Sequence, residues 1–235
     1  MKSYLKHLQN VGDNALSFNR KLSYIAYNMG KYINTNNRKL SVLEIGPGIG
    51  VIEKYLNDRK ITNIDIVDND SSVLDYIQSN FSINKRFKTI NLSRIDKKLQ
   101  NYDLVFMLQV FEHIPRSQYK EVLTTLVKHL KKGGKVIIMV PNGGNPLNML
   151  ERYHDLQHET AFTEDSLREL SNYCDIEDVL VNIEAYSVPP NSIVNIIRIL
   201  LQKILHLIIV GLIIINGGVY QKIMTPNITL VLTKK

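Results

Sequence analysis

Along the first 140 residues, short apolar blocks alternate with stretches whose apolar positions recur at helical spacing. Residues 1–35 read as a polar, amphipathic helical cap. Strands are then expected at Leu40–Ile45, Ile61–Val67, Phe87–Ile90, Tyr102–Leu108 and Lys135–Val140. Between them, Gly46–Gly50 forms a turn, and helices are expected over Val51–Asn57, Ser71–Ser79 and about Ser117–Lys131. Gly133-Gly134 is expected to end the last of these helices, since glycine takes the left-handed C-terminal position readily. Short strands alternating with helices imply a parallel sheet covered on both faces.

Beyond Pro141 the pattern changes. A long polar loop runs to Phe162, and Thr163 is placed to cap a helix whose first turn carries Glu164 and Asp165. Ile176–Ile183 reads as a sixth strand and Asn227–Thr233 as the last. Between them lies an apolar insertion, residues 188–219. Its core, Ile193–Ile215, is almost wholly aliphatic, and the polar exceptions Asn195, Arg198, Gln202 and His206 share one stripe of a helix. Three fates are open for it: burial against the domain or a dimer partner, docking on a membrane surface, or spanning. Arg198 and Lys203 weigh against the last.

Composition narrows this picture only modestly. The chain of 235 residues is 44% hydrophobic and 22% charged, as in a globular protein. The length fits one domain, 1–235. With one cysteine, Cys174, there is no disulfide framework and no cysteine metal site. No apolar run of signal length follows Met1–His7, so a cytoplasmic location is expected, peripheral on the inner membrane face if the insertion docks. A net charge of +7 suits anionic partners. No RNA-binding motif or aromatic-basic stripe is present, and no nucleic-acid partner is expected.

The most informative stretch is Val42-Leu43-Glu44-Ile45-Gly46-Pro47-Gly48-Ile49-Gly50, which follows a strand and opens a helix. A dinucleotide loop would need Gly-x-Gly-x-x-Gly/Ala, but Val51 stands at the third position, and no Walker lysine is present. Glu44, just before the first glycine, is unhelpful to a pyrophosphate and suited to a cationic ligand. Asp68, ending the second strand, is placed to accept hydrogen bonds from both hydroxyls of a ribose, with Asp70 as the near alternative and Asn69 between them. Asn91 and Leu92 follow the third strand, where an amide can pair with an adenine edge.

These residues resemble the class I S-adenosylmethionine (SAM)-dependent methyltransferases, from about Leu40 to the C-terminus. The resemblance implies a Rossmann-like, seven-stranded mixed sheet with an antiparallel last strand. It also implies SAM as cofactor and S-adenosylhomocysteine (SAH) as product. The cofactor would be held by Glu44, Gly46, Gly48, Gly50, Asp68, Asn69, Asn91, Leu92 and Gln109. Some quinone-pathway relatives bind a metal through Glu-x-x-Glu-His. Here Gln109-x-x-Glu112-His113 lacks the first carboxylate, and no metal is expected.

For the acceptor, two histidines follow strands at the carboxyl edge of the sheet: His113 in Phe111-Glu112-His113-Ile114-Pro115, and His158 in Asp155-Leu156-Gln157-His158-Glu159. Either has the pKa range of a base for an acceptor hydroxyl. Asp155 and Arg152 are candidates to bind sugar hydroxyls or phosphate. The run Pro141-Asn142, Asn145-Pro146, Asp155-x-x-His158-Glu159, Phe162-Thr163 resembles a narrower subgroup found in bacterial surface-polysaccharide gene clusters. That resemblance implies O-methylation of a glycan or of its lipid- or nucleotide-linked precursor. The alternatives are a small-molecule acceptor such as a quinone precursor, or a non-catalytic SAM-fold binding module.

Overall fold

The computed structural model describes residues 15–34, 37–89, 91–149, 153 and 155–235. The expected strands assemble into one seven-stranded sheet of order β3-β2-β1-β4-β5-β7-β6. They are β1 (Val42–Ile45), β2 (Ile64–Asp68), β3 (Lys85–Lys88), β4 (Tyr102–Leu108), β5 (Leu130–Pro141), β6 (Val179–Tyr186) and β7 (Asn227–Lys234). The first five run parallel, and β7 lies antiparallel between β5 and β6. The helices are α1 (Ala15–Met29), α2 (Val51–Asn57), α3 (Ser71–Asn80), α4 (Tyr119–Lys128), α5 (Glu164–Tyr173) and α6 (Ile193–Ile215). Of the expected cap, α1 and a short turn at Gly30–Tyr32 are described.

Alternate residues of each central strand feed opposite faces, as the period of two requires. Leu43, Val105, Met107 and Ile138 pack with α4 and α5, whereas Val42, Phe106 and Ile137 pack with α1, α2 and α3. Both faces are therefore closed, and the sheet opens only at its ends. α5 begins as expected, with Thr163 and Ser166 forming a reciprocal cap ahead of Glu164 and Asp165.

Four of the boundaries that differ from the sequence expectation have a clear structural cause. β3 begins two residues early, on Lys85 and Arg86, because an edge strand tolerates exposed charges that apolar patterning passes over. Ile90, the end expected for that strand, lies outside the described residues. β2 starts at Ile64, because Ile61 is buried ahead of the ladder, whose first pair is Val42 with Ile64. Gly133-Gly134 does not end α4. It sits inside β5 at a register shift, where a Cβ on Gly134 would crowd the carbonyls of Tyr102 and Asp103. β6 starts at Val179, after Asp175 and Asp178 turn the chain with left-handed backbones.

The apolar insertion is also corrected in one respect. α6 does not bury itself against its own domain: Ile209 is its one buried residue, and thirteen of its aliphatic side chains are exposed.

Candidate active site

β1 and β4 are neighbours, yet β1 leads on to β2 on its other side, so the sheet reverses its order at the β1/β4 carboxyl edge. Such a switch point is where open α/β sheets bind ligands. The glycine loop lies there. Gly46, Gly48 and Gly50 have φ of 71°, 57° and 82°, a region other residues enter at a cost. A Cβ on Gly46 would strike Val110, and one on Gly50 would overlap the Phe81 ring, so these two glycines permit close packing. A Cβ on Gly48 would meet nothing within 4 Å. Gly48 therefore faces open space, where a ligand has room against the backbone.

Behind the loop, Glu44 is buried in β1 and adjoins Glu53 of α2. Burial pushes both carboxyls up, and in Glu44 the neighbouring charge adds to the effect. Glu44 Oε2 and both Glu53 oxygens are buried without a hydrogen-bond partner. An uncompensated acidic pair next to a glycine loop favours a cationic ligand, which fits the sulfonium and ammonium of SAM. Glu53 was not a sequence candidate. Its one signal is its place in the first turn of α2, where a carboxylate also meets the positive helix end.

Asp68 ends β2 with its side chain largely buried, and Oδ1 accepts from the backbone N–H of Asp70 at 2.8 Å. Burial raises its pKa. Asp70 is occupied elsewhere: it caps α3 by accepting from Ser72 N at 2.8 Å. This separates the two acids that the sequence left as alternatives. Asn69 is exposed beside them. Asn91 Oδ1 accepts from the N–H of Ser93 at 2.9 Å, as a cap on the turn that follows, and the Leu92 side chain is core. Toward an adenine, this corner therefore presents the Asn91 amide nitrogen and backbone groups.

Gln109 closes β4 with φ of 57°, a left-handed backbone on a non-glycine residue. Such strain persists where its surroundings enforce it. Here the Gln109 N–H donates to Met139 O at 2.9 Å, and Nε2 donates to Asn227 Oδ1 at 2.8 Å.

The acceptor side is built by the loops after β4 and β5. His113 and His158, 45 positions apart in sequence, lie with ring centroids 4.7 Å apart. His113 Nδ1 is 3.2 Å from the carbonyl of Gln157. A carbonyl only accepts, so Nδ1 carries the proton and Nε2 of the neutral ring is the basic nitrogen. Beneath them Glu112 is almost fully buried, and neither carboxylate oxygen has a hydrogen-bond partner. Burial, with a smaller push from Asp155, raises its pKa to about 8. Ligating atoms of Glu112, His113 and His158 all lie within 4.8 Å of one another. That donor set can shuttle a proton, and it is also one that transition metals accept.

Asp155 is a turn residue in this arrangement: its Oδ1 accepts from Gln157 N at 2.8 Å. Arg152 lies outside the described residues. The asparagines of the post-β5 loop act on the backbone. Asn142 donates to Ile223 O and Thr225 O, Asn145 to Met224 O, and Asn148 to Pro226 O, at 2.7–2.9 Å. They clamp the loop to the segment entering β7. His158, Thr160, Asn142, Asn148 and Pro141 line a small pocket on its surface.

Comparison with known proteins agrees with this fold. The family described as "Methyltransferase domain" matches residues 17–175. No curated protein matches the sequence significantly. Among solved structures, a SAM-dependent methyltransferase from Archaeoglobus fulgidus superposes with a TM-score of 0.67 at 16% identity, covering 99% of this chain and 100% of that one. The plantazolicin methyltransferase BpumL, solved with SAH and a monoazolic desmethylPZN analogue, gives 0.63 at 18% identity, with 98% and 90% covered. The N-methyltransferase NodS from Bradyrhizobium japonicum gives 0.56 at 14% identity, with 94% and 98% covered.

Proposed function

This chain belongs to the methyltransferase-domain family and is a SAM-dependent methyltransferase, and we propose that it delivers the methyl group to an oxygen of a bacterial glycan or of its lipid- or nucleotide-linked precursor. When bound, SAM supplies an electrophilic methyl on a sulfonium. The chain's residues position the partners. Gly48 leaves room for the methionine portion, the Glu44–Glu53 pair favours its positive charge, Asp68 accepts from the ribose hydroxyls, and Gln109 borders the transfer point. Positioning is itself a large share of such catalysis.

The observation that carries the acceptor reading is the pairing of His113 and His158 over a buried Glu112. A hydroxyl must lose its proton as it is methylated, and an imidazole is a side chain suited to take it. In this reading His158, which lines the pocket, takes the proton, with the His113 ring packed against it. Asp155 holds the turn that presents His158. The glycan assignment is supported by the likeness of the Pro141-to-Thr163 run to methyltransferases of polysaccharide clusters.

A second reading, a small-molecule acceptor, is favoured by one observation: the pocket beside His158 is small. Transfer of labelled methyl from SAM into a fractionated extract of the source cell separates the two. Label in glycan, lipid-linked or nucleotide-sugar fractions supports the first reading. Label confined to other small metabolites transfers the assignment to the second.

A further inference from the structure

α6 is amphipathic in the opposite sense to a helix of a soluble domain. On a wheel of 3.6 residues per turn, Asn195, Gln202 and His206 form a half-buried stripe beside the buried Ile209, the side that lies against the domain, and Arg198 at its border donates to Tyr24 Oη of α1 at 3.5 Å. The aliphatic residues point outward, among them Ile197, Leu200, Leu201, Ile204, Leu207 and Ile208, and together they cover an arc of about 180°. Arg198 stands at one border of that arc and Lys203 at the other. No acidic residue occurs anywhere in Ile193–Ile215. Exposed apolar surface of this extent marks an interaction site.

We propose that α6 is an in-plane membrane anchor that docks this chain on an anionic lipid surface. Cations at both borders of an apolar face match the level of lipid headgroups, with the long Arg and Lys stems reaching up beside the buried face. A second copy of the chain fits less well, since apposed helices would bring Arg198 and Lys203 of both copies together with no anion on either helix.

The helix is long enough to span, at about 35 Å for 23 residues, but its ends are tied to one place. Tyr186, before it, pairs in register with Asn227, after it. Beyond α6, Ile223 and Met224 are already buried in the domain and clamped by Asn142 and Asn145. The chain from Asn216 to Lys222 reaches about 25 Å when extended, short of a hydrocarbon core of about 30 Å, and its backbone would be unsatisfied inside one. Both ends of α6 therefore stay on one side of the bilayer. β6 and β7 meet at the sheet edge that carries Gln109, through its bond to Asn227, so docking holds the transfer site at the membrane surface.

The test uses the whole chain and phosphatidylcholine vesicles with or without phosphatidylglycerol. Flotation is expected to show binding roughly tenfold or more stronger to the anionic vesicles. The double variant L200Q/I204Q is expected to lose at least about tenfold in vesicle affinity, with SAM binding unchanged as the check on folding. On vesicle-bound protein, Asn191→Cys and Tyr220→Cys are both expected to react with a membrane-impermeant maleimide added outside. Failure of the wild type to bind, equal binding by L200Q/I204Q, or protection of one label overturns the proposal. So does self-association through α6 without vesicle binding. The acceptor reading is tested separately, since label transfer to a soluble acceptor is compatible with either result here.

Discussion

The rings of His113 and His158 stand 4.7 Å apart at an interplanar angle of 57°, one on the turn after β4 and the other on the loop after β5. Their closeness depends on the backbone N–H groups of Glu159 and Thr160, both of which donate to the carbonyl of Glu112 at 2.9 and 3.3 Å. The loop that carries His158 is thereby sewn to the turn that carries His113. Tyr119 holds the same point by donating to Thr160 Oγ1 at 2.9 Å.

If His158 is the base, His158→Ala is expected to lower kcat by roughly 10²-fold or more, the usual scale for a general base, while SAM affinity stays within about twofold. His113→Ala is expected to lower kcat by a smaller factor, because it removes the ring packed against His158. Steady-state kinetics across pH 5–9 check both. Full activity in His158→Ala removes it from the mechanism.

Gly48 and Gly50 share a left-handed backbone but differ in surroundings, and their alanine variants should differ accordingly. Gly50→Ala drives a methyl into Phe81 and is expected to destabilise the fold by about 2–4 kcal/mol, from backbone strain and overpacking together. Gly48→Ala meets no protein atom, so its stability loss is expected to be only the backbone share, about 1–2 kcal/mol. Its larger effect should be on SAM affinity. Thermal unfolding and ligand titration of the two variants distinguish these outcomes.

The Glu44–Glu53 pair makes stability depend on pH. Burial raises these carboxyls above the unfolded value of 4.5, so the folded state holds protons more tightly than the unfolded chain does. Their contribution is fully present below that value and is lost as pH rises toward the folded values. Glu53→Gln removes one titrating group and keeps the shape. It is expected to match the wild type near pH 4 and to exceed it in Tm by several degrees at pH 8. Equal Tm values at pH 8 contradict the assignment.

Much of this was legible in the sequence where the signal is local. The run from Val42 to Gly50 states its own strand, turn and helix start, and Asp68 follows from the end of the next strand. Thr163, followed by Glu164 and Asp165, is likewise a local signal for the start of α5. Legibility failed where the deciding partner is distant. The Gly133-Gly134 pair reads equally as a helix stop or as a strand bulge, and the neighbouring carbonyls of β4 decide it. Periodicity placed Asn195, Arg198, Gln202 and His206 of α6 on one stripe but could not say that Asn195, Gln202 and His206 face inward. The asparagines after Pro141 stood out as a pattern, and their carbonyl partners before β7 lie about 80 positions away.

The central claim is that the β1/β4 edge is the SAM site, and calorimetric titration of SAM into the wild type and Asp68→Ala tests it most directly. The account predicts saturable one-to-one binding by the wild type and at least about tenfold weaker binding by the variant. That loss corresponds to one charged acceptor removed from a pair of hydroxyls, with Tm close to that of the wild type. Undiminished affinity in Asp68→Ala would contradict the account and place the cofactor elsewhere.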